Sequence, residues 1–314
     1  MQMERARKAA EVRAEAASDV GLCPAGCGAG MRRVFCLKGN VVARCQSCGL
    51  YMSPMTLPTC GEPTLDRAEI EAGLRSVRVA NYAHVLRRLR ERTSLTGRKL
   101  LDVGCGSGWF LELAARAGCE CYGIEPDDFF YRRTASGPAS GARLVQGFFP
   151  RDLPPRWGPF DIISFNDVFE HIGEAGPILR AARHRLATGG HLVFSLPVAD
   201  GFVFRLAQCL HQLGITAPIE RMFQVHYPYP HLYYFTRRSF VTLARHEGLE
   251  PALVERLRSF SIRGAVHRAK MDRSPGAAGW LGRYAAAGAL LILASAERLV
   301  PADNVMVILR PRTT

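Results

Sequence analysis

The central part of the chain alternates short apolar runs with amphipathic stretches, a pattern typical of β-strands that take turns with α-helices. The apolar runs predict strands at Lys99–Val103, Cys119–Ile124, Arg143–Gln146, Phe160–Phe165 and His191–Leu196. The stretches between them predict helices at Gly108–Ala117, Asp127–Ala135 and Ala175–Ala187. Strands and helices in this order favour right-handed crossovers, so the sequence predicts an α/β fold whose parallel sheet is covered by helices on both faces.

The pattern changes after Pro197, where prolines and aromatic residues interrupt the alternation. We interpret 198–234, which contains QVHYPYPHLYY, and 261–303 as two insertions into the domain. A helix is predicted over Thr236–Glu247, with Thr236 as its N-cap. Two further apolar runs predict the last strands, at Ala252–Arg258 and Val305–Arg310.

Three segments precede the alternation and suggest how the chain is divided. Residues 1–20 form a polar lead-in without the apolar core of a secretion signal. Residues 21–62 hold six of the ten cysteines and two short predicted strands, and 63–97 has the pattern of a helical linker or cap. The remaining residues, 98–314, form the main predicted domain.

The formal net charge of +13 raises the question of an anionic partner. Arginines supply most of the positive charge, they are spread along the chain, and many have acidic neighbours. No dense basic tract marks a polyphosphate-binding stripe, so the charge is interpreted as a solvated surface and nucleic acid is disfavoured as a partner.

The longest apolar run, Tyr284–Ala296, is shorter than the roughly 20 residues that span a bilayer. It predicts a buried amphipathic helix over about 280–298, with weak contact to a membrane surface as the alternative. Because no secretion signal is visible and the cysteines are clustered, a reducing compartment is expected and the cytoplasm is the predicted location. The sequence does not indicate the oligomeric state.

The most informative segment is LLDVGCGSG, which follows the first predicted strand and opens a helix. Gly104, Gly106 and Gly108 allow the backbone to approach a ligand closely, and the amides at the helix N-terminus face that ligand. Glu125 ends the next strand, where a carboxylate can accept hydrogen bonds from both hydroxyls of a ribose. These features predict a nucleoside-binding loop.

A dinucleotide site would need a small residue where this chain has Trp109. Asp102 adds a carboxylate close to the ligand, which suits a cation and repels a pyrophosphate. S-adenosylmethionine carries a sulfonium and no phosphate, so the loop favours this cofactor.

Over roughly residues 80–312 the chain resembles the class I methyltransferases, with LLDVGCGSG as their first motif and YGIEPD as their second. The resemblance implies a Rossmann-like seven-stranded sheet with an antiparallel last strand, and it treats 198–234 and 261–303 as lid insertions. It also implies that Gly147 and Phe148 contact the adenine, although Phe148 stands where the family often has an acidic residue. The implied cofactor-binding residues are Asp102, Gly104, Cys105, Gly106, Gly108, Glu125, Pro126, Gly147, Phe148, Asn166 and Asp167.

Two cysteine pairs, Cys23 with Cys27 and Cys45 with Cys48, have the spacing of two zinc knuckles. Four thiolates can surround Zn²⁺ tetrahedrally, so a structural zinc ion is predicted; buried free thiols are the alternative. Cys36 and Cys60 are spare, and either one could join the site. RCQSCGLYMSPM also resembles the zinc-ribbon lead-in that precedes many small-molecule methyltransferase domains.

Three histidines are candidates for the base that removes a proton from the methyl acceptor. His171 follows the fourth strand, where the resemblance places the substrate, while His226 and His231 lie in the aromatic stretch. Each of them could instead bind substrate or serve a local structural purpose.

The predicted function is methyl transfer to a small molecule, by O- or C-methylation of a sugar, quinone, phenol or lipid-like metabolite. An RNA methyltransferase that uses the zinc ribbon to bind RNA is one alternative. The segment after the fourth strand argues against this alternative. It reads NDVF, whereas N6-adenine methyltransferases have an Asn/Asp-Pro-Pro-aromatic motif there. A non-catalytic cofactor-binding protein is the other alternative.

Overall fold

The structure is a computed structural model that describes residues 19–53, 67–225, 229–259 and 299–312. Its strands are β1 (Asp19–Leu22), β2 (Gly30–Leu37), β3 (Asn40–Cys45), β4 (Tyr51–Met52), β5 (Lys99–Val103), β6 (Glu120–Glu125), β7 (Arg143–Gln146), β8 (Phe160–Asn166), β9 (Leu186–Pro197), β10 (Tyr233–Tyr234), β11 (Leu249–Leu257) and β12 (Asn304–Pro311). Its helices are α1 (Arg67–Arg90), α2 (Trp109–Arg116), α3 (Asp128–Ser136), α4 (Ala175–His184), α5 (Phe202–Gln212), α6 (Ala217–Met222) and α7 (Arg237–His246). A 3₁₀ turn covers Phe169–His171.

The larger sheet has seven strands in the order β11-β12-β9-β8-β5-β6-β7. The pairs from β9 to β7 are parallel, and β12 runs antiparallel to both of its neighbours. The predicted α/β fold, with a seven-stranded sheet and an antiparallel last strand, is therefore confirmed. Strand order reverses at β5, so the carboxyl ends of β5, β6 and β8 border a crevice where α/β sheets bind ligands.

One strand begins earlier than the pattern suggested. Helix α4 ends at His184, and β9 already starts at Leu186, so Gly189 and Gly190 lie inside the strand. A register shift between Phe160 and Ile162 accompanies this extension. The prediction of a helix as far as Ala187 was wrong, because pairing with β8 overrides the local helical pattern.

A second sheet of five strands, β1-β2-β3-β4-β10, contains the cysteine-rich segment. Its last strand comes from the aromatic stretch, since Tyr233 pairs with Met52 and Tyr234 pairs with Tyr51. The predicted insertion 198–234, which contains most of the aromatic stretch, is also more regular than its sequence suggested, because it includes α5 and α6.

The core between these sheets is aromatic. Phe165 and Phe194 stack with their ring centroids 5.0 Å apart, and Phe169 and Phe240 pack against them edge to face. The buried cysteines of the second sheet belong to the same core cluster as β5 and β8. The small sheet is therefore packed onto the larger one near the 3₁₀ turn.

Among the helices that the structure describes, none is long and apolar enough to cross a lipid bilayer. The predicted helix at 280–298, and with it the suggested membrane contact, lies outside the described residues.

Candidate functional site

A cavity of about 420 Å³ opens at the carboxyl ends of β5, β6 and β8. All of the predicted cofactor-binding residues except Gly108 line it. Arg78 and Tyr82 of α1 also line it, and the sequence pattern did not identify them. The fold thus brings the predicted loop, the downstream carboxylate and the end of the fourth strand around one space.

The three glycines of the loop differ in what they do. Gly104 has φ +67°, and a Cβ atom there would lie 2.5 Å from Val168 Cγ2. Gly106 has φ +53° with open space beside it, so a ligand can approach its backbone. Gly108 faces Thr134 and Ala139 instead of the cavity, since a Cβ atom would lie within 2.9 Å of both side chains. Gly108 therefore serves helix packing, and Gly106 is the position that remains open to a ligand.

Glu125 is buried at the end of β6, and its two oxygens bind different amides. Oε2 accepts a hydrogen bond from Gly106 N at 2.8 Å, and Oε1 accepts one from Asp127 N at 2.9 Å. Burial raises the pKa of Glu125, and these backbone amides oppose the shift. Each oxygen keeps a further lone pair, so the carboxylate can also accept hydroxyl protons from a bound ligand.

Asp102 lies at the end of β5 and is almost completely buried. Its Oδ1 accepts hydrogen bonds from Ser164 Oγ at 2.7 Å and from Asn166 Nδ2 at 3.1 Å. Burial raises the pKa of Asp102 to about 7, although both hydrogen bonds favour the ionised form. The charge of Asp102 therefore responds to its surroundings near neutral pH, and a cationic ligand would favour ionisation.

The rim of the cavity holds Phe148, which is 51% exposed. Its amide donates to Asp152 Oδ2 at 2.8 Å, so this backbone group is already engaged and the ring remains for contact with a ligand. Cys105 lies deeper, and burial raises the pKa of its thiol well above the ordinary value. Cys105 is accordingly a neutral part of the wall.

A smaller recess of about 190 Å³ adjoins the cavity. Arg78, Tyr82, Asp167 and His171 line both spaces. Glu170, His231, Asn81, Ser195, Gln224 and Asn304 contribute polar groups to the recess alone. A ligand in the large cavity and a second molecule in the recess would meet at the shared residues.

Two of the three candidate histidines come together here, with the His171 and His231 rings 4.7 Å apart between centroids. His171 Nδ1 lies 3.0 Å from the Pro230 carbonyl oxygen, and burial lowers the pKa of His171. Burial also lowers the pKa of His231 well below its ordinary value. Both rings are therefore neutral at pH 7. The third candidate, His226, lies outside the described residues.

The four predicted zinc ligands also converge. The Sγ atoms of Cys23 and Cys48 are 3.5 Å apart and those of Cys27 and Cys45 are 3.4 Å apart, which is too far for a disulfide. All four lie within 4.8 Å of one another, and Cys48 N donates to Cys45 Sγ. This donor set fits a tetrahedral thiolate metal site. Cys36 is exposed and outside the cluster, while Cys60 falls in a segment that the structure does not describe.

Comparison with known families finds one model, described as a methyltransferase domain, that matches residues 75–254, more than half of the 314-residue chain. A ubiquinone biosynthesis O-methyltransferase from Caulobacter sp. (strain K31) is 33% identical over 106 residues, which cover 32% of this chain and 42% of that protein. The protein of the same name from Acinetobacter baumannii (strain AYE) is 30% identical over 113 residues, 32% of this chain and 44% of that protein. These matches span less than half the length of each relative.

The fold is also similar to that of a geranyl diphosphate methyltransferase solved in complex with SAM. The TM-score is 0.52 at 18% sequence identity, and the match covers 80% of this chain and 93% of the other. At this identity the likeness concerns the fold alone.

Proposed function

Because this chain belongs to the methyltransferase-domain family, we propose that it transfers the methyl group of S-adenosylmethionine to a small-molecule acceptor. The observation that carries the proposal is the pairing of Gly106 with Glu125. A loop amide beside open space and a buried carboxylate with free lone pairs face the same 420 Å³ cavity. This is the arrangement that a ribose needs, next to a carboxylate, Asp102, that suits a sulfonium or amino group.

In this proposal each cavity residue has a distinct task. Glu125 accepts hydrogen bonds from the ribose hydroxyls, Asp102 faces the charged end of the cofactor, and Phe148 stacks on the adenine. Gly104 and Cys105 shape the wall, together with Pro126, Gly147, Asn166 and Asp167. The bound cofactor supplies an electrophilic methyl group on a positively charged sulfur.

The acceptor is assigned to the polar recess. The recess holds about 190 Å³, which suits a small molecule or one ring of a larger one. The names of the curated relatives support O-methylation, and the hydrogen-bonding groups of the recess suit an acceptor that carries hydroxyls.

His171 is assigned as the residue that accepts the acceptor proton. A carbonyl oxygen can only accept a hydrogen bond, so Nδ1 of His171 must carry the proton shared with Pro230. In the neutral ring Nε2 then has a free lone pair, at a position that lines both the cavity and the recess. Binding in the recess would orient the acceptor oxygen toward the methyl carbon.

We also assign a structural Zn²⁺ to Cys23, Cys27, Cys45 and Cys48. Four thiolate ligands leave no open position for catalysis, so this ion would stabilise the sheet that β10 completes. We propose the same division of the chain as the sequence predicted: 21–62 as a zinc-ribbon module, 63–97 as a helical cap and 98–314 as the methyltransferase domain, of whose predicted insertion at 261–303 residues 261–298 lie outside the described residues.

The test has two steps. Calorimetric titration should show binding of S-adenosylmethionine and of its demethylated product at one site per chain. Incubation with methyl-labelled cofactor and a cell extract should then place the label in a small molecule. Label in RNA would contradict the assigned substrate class, binding without any transfer would contradict an enzymatic function, and no binding would contradict the proposal as a whole.

A further inference from the structure

Three donor side chains stand together beside the cofactor cavity, separate from the cysteine cluster. Glu170 and His171 belong to the 3₁₀ turn after β8, and His231 lies two residues before β10. One ligand atom from each side chain lies within 4.8 Å of the others. Two backbone hydrogen bonds hold this arrangement, from Leu232 N to Glu170 O at 2.9 Å and from His231 N to Phe223 O at 3.0 Å.

Two atoms of this cluster are buried without a hydrogen-bond partner among the described residues. They are Glu170 Oε2 and His231 Nδ1, and the side chains that carry them are only 2% and 8% exposed. A buried carboxylate oxygen without a donor destabilises the fold, so Glu170 Oε2 indicates a missing polar partner, and His231 presents its other nitrogen, Nε2, to the same carboxylate.

The charges around the cluster favour a cation as that partner. Arg78 supplies one positive charge, with its Nε 3.0 Å from Asp167 Oδ2, and this charge acts on both the Asp167 and the Glu170 carboxylates. His231 Nε2 lies 4.0 Å from Glu170 Oε1, which is beyond hydrogen-bond distance. Two carboxylates, Asp167 and Glu170, therefore share the single charge of Arg78, which favours a further cation beside Glu170.

The imidazole of His171 is already oriented for ligation. Its Nδ1–H is held by the Pro230 carbonyl, which leaves the lone pair on Nε2 of a residue that lines both spaces. A histidine that binds a metal through one nitrogen almost always donates its other N–H to a carbonyl or carboxylate in this way.

We propose that Glu170, His171 and His231 bind one divalent first-row transition-metal ion at the junction of the cavity and the recess. Two imidazoles and one carboxylate favour an ion such as Mn²⁺, Fe²⁺, Co²⁺ or Zn²⁺ over Mg²⁺ or Ca²⁺, which prefer oxygen ligands. Three protein ligands leave coordination positions open toward the recess.

The step that this ion serves rests on the proposed function. A hydroxyl oxygen of the acceptor binds an open position, and the metal lowers the pKa of that hydroxyl, so its proton leaves to water. The oxygen then attacks the methyl carbon, and the electron pair of the broken carbon–sulfur bond returns to sulfur. A lone pair of His171 that binds the ion cannot also accept a proton. In the metal-bound chain His171 is therefore a ligand, and this role replaces the base role assigned under the proposed function.

Titration with Co²⁺ alone tests the site on the full chain after zinc has been loaded and excess metal removed. We expect one Co²⁺ per chain with visible d–d absorption and without thiolate charge-transfer bands. Glu170→Gln and His231→Gln should each weaken Co²⁺ binding by about tenfold or more, since each removes a direct ligand. The matched control His184→Gln, which changes an exposed histidine of α4, should bind Co²⁺ like the wild type.

Nuclear magnetic resonance of the wild type supplies a readout that needs no variant. Co²⁺ should broaden the ring signals of His171 and His231 and spare that of His184. Absence of a second ion in zinc-loaded protein, or binding that survives Glu170→Gln unchanged, overturns the metal site. Calorimetry with demethylated cofactor on the same samples keeps the two proposals apart: retained cofactor binding with no Co²⁺ site rejects only the metal, whereas failure of the wild type to bind cofactor rejects the proposed function.

Discussion

Arg78 of α1 places its Nε 3.0 Å from Oδ2 of Asp167, and this contact connects the helix before the sheet with the carboxyl end of β8. Asp167 has φ +55°, in the left-handed region that non-glycine residues seldom occupy. Its amide donates to Ser195 O at 2.8 Å, so both ends of the residue are held. The pair forms part of the wall between the cavity and the recess.

The first prediction concerns this ion pair. Arg78→Met should lower the free energy of unfolding by about 1 to 2 kcal/mol, because it leaves the partly buried Asp167 carboxylate without its cation. Arg75→Met on an exposed position of the same helix should change it by less than about 0.5 kcal/mol. Urea unfolding of zinc-loaded protein measures both, and equal effects of the two substitutions would contradict a specific pair.

Glu125→Gln should raise the Kd for S-adenosylmethionine and for its demethylated product by about 10- to 100-fold. Both Glu125 oxygens accept an amide hydrogen bond, so the NH₂ group of glutamine must face one of those N–H groups. Calorimetry gives the Kd values. The control Glu91→Gln, at an exposed position away from the cavity, should bind like the wild type, and a Glu125→Gln variant with unchanged Kd would refute the ribose assignment.

Substitutions at two loop glycines should affect different properties, Gly106 mainly the binding of the cofactor and Gly108 mainly the stability of the fold. Gly106→Ala should cost about 1 kcal/mol of stability through its positive φ, yet its Cβ enters the open space and should weaken cofactor binding at least several-fold. Gly108→Ala should cost about 2 to 4 kcal/mol, because its Cβ would meet Thr134 and Ala139. Thermal or urea unfolding together with calorimetry checks this ranking, which would be reversed if Gly108 were the residue beside the ligand.

Asp102 should make the free energy of unfolding depend on pH between about pH 4 and pH 7. Because burial raises the pKa of Asp102 to about 7, the folded state holds a proton that the unfolded state has lost above about pH 4. Stability from this group is therefore lost as the pH rises toward 7 and is constant above that. Relative to Asp102→Asn, whose amide oxygen can still accept from Ser164 and Asn166, the wild type should lose about 2 kcal/mol between pH 5 and pH 7.

Urea unfolding of both proteins at pH 5, 6, 7 and 8 isolates the contribution of Asp102, since the other titrating groups are common to both. A constant difference across this range would show that Asp102 keeps an ordinary pKa.

Thr236 connects the cysteine cluster to the N-terminus of α7 through hydrogen bonds, and its replacement should weaken both. Its Oγ1 donates to Cys48 O at 2.7 Å and accepts from Ser239 N at 2.9 Å, so Thr236→Val removes a link and a helix cap together. We expect a loss of about 2 kcal/mol of stability and faster zinc release to a chromogenic chelator. Thr242→Val removes only a local bond to Arg238 O within α7 and should change neither measurement appreciably.

The sequence alone predicted the fold and the glycine loop, because their information is local. The alternation of strands and helices specifies the sheet, and the loop from Gly104 to Gly108 lies one βαβ unit from Glu125, so chain connectivity brings them together. The spacing of the cysteine pairs likewise limits how Cys23, Cys27, Cys45 and Cys48 can be arranged.

Only the tertiary structure decided the second half of the site. Strand β10 has two residues, too few for any periodicity, and its pairing with β4 depends on packing between segments far apart in sequence. The hydrogen bond from Leu232 N to Glu170 O holds His231 beside Glu170, and the position of α1 brings Arg78 to Asp167. Such contacts arise from long-range burial of apolar surface, which leaves no local pattern around the polar residues it brings together.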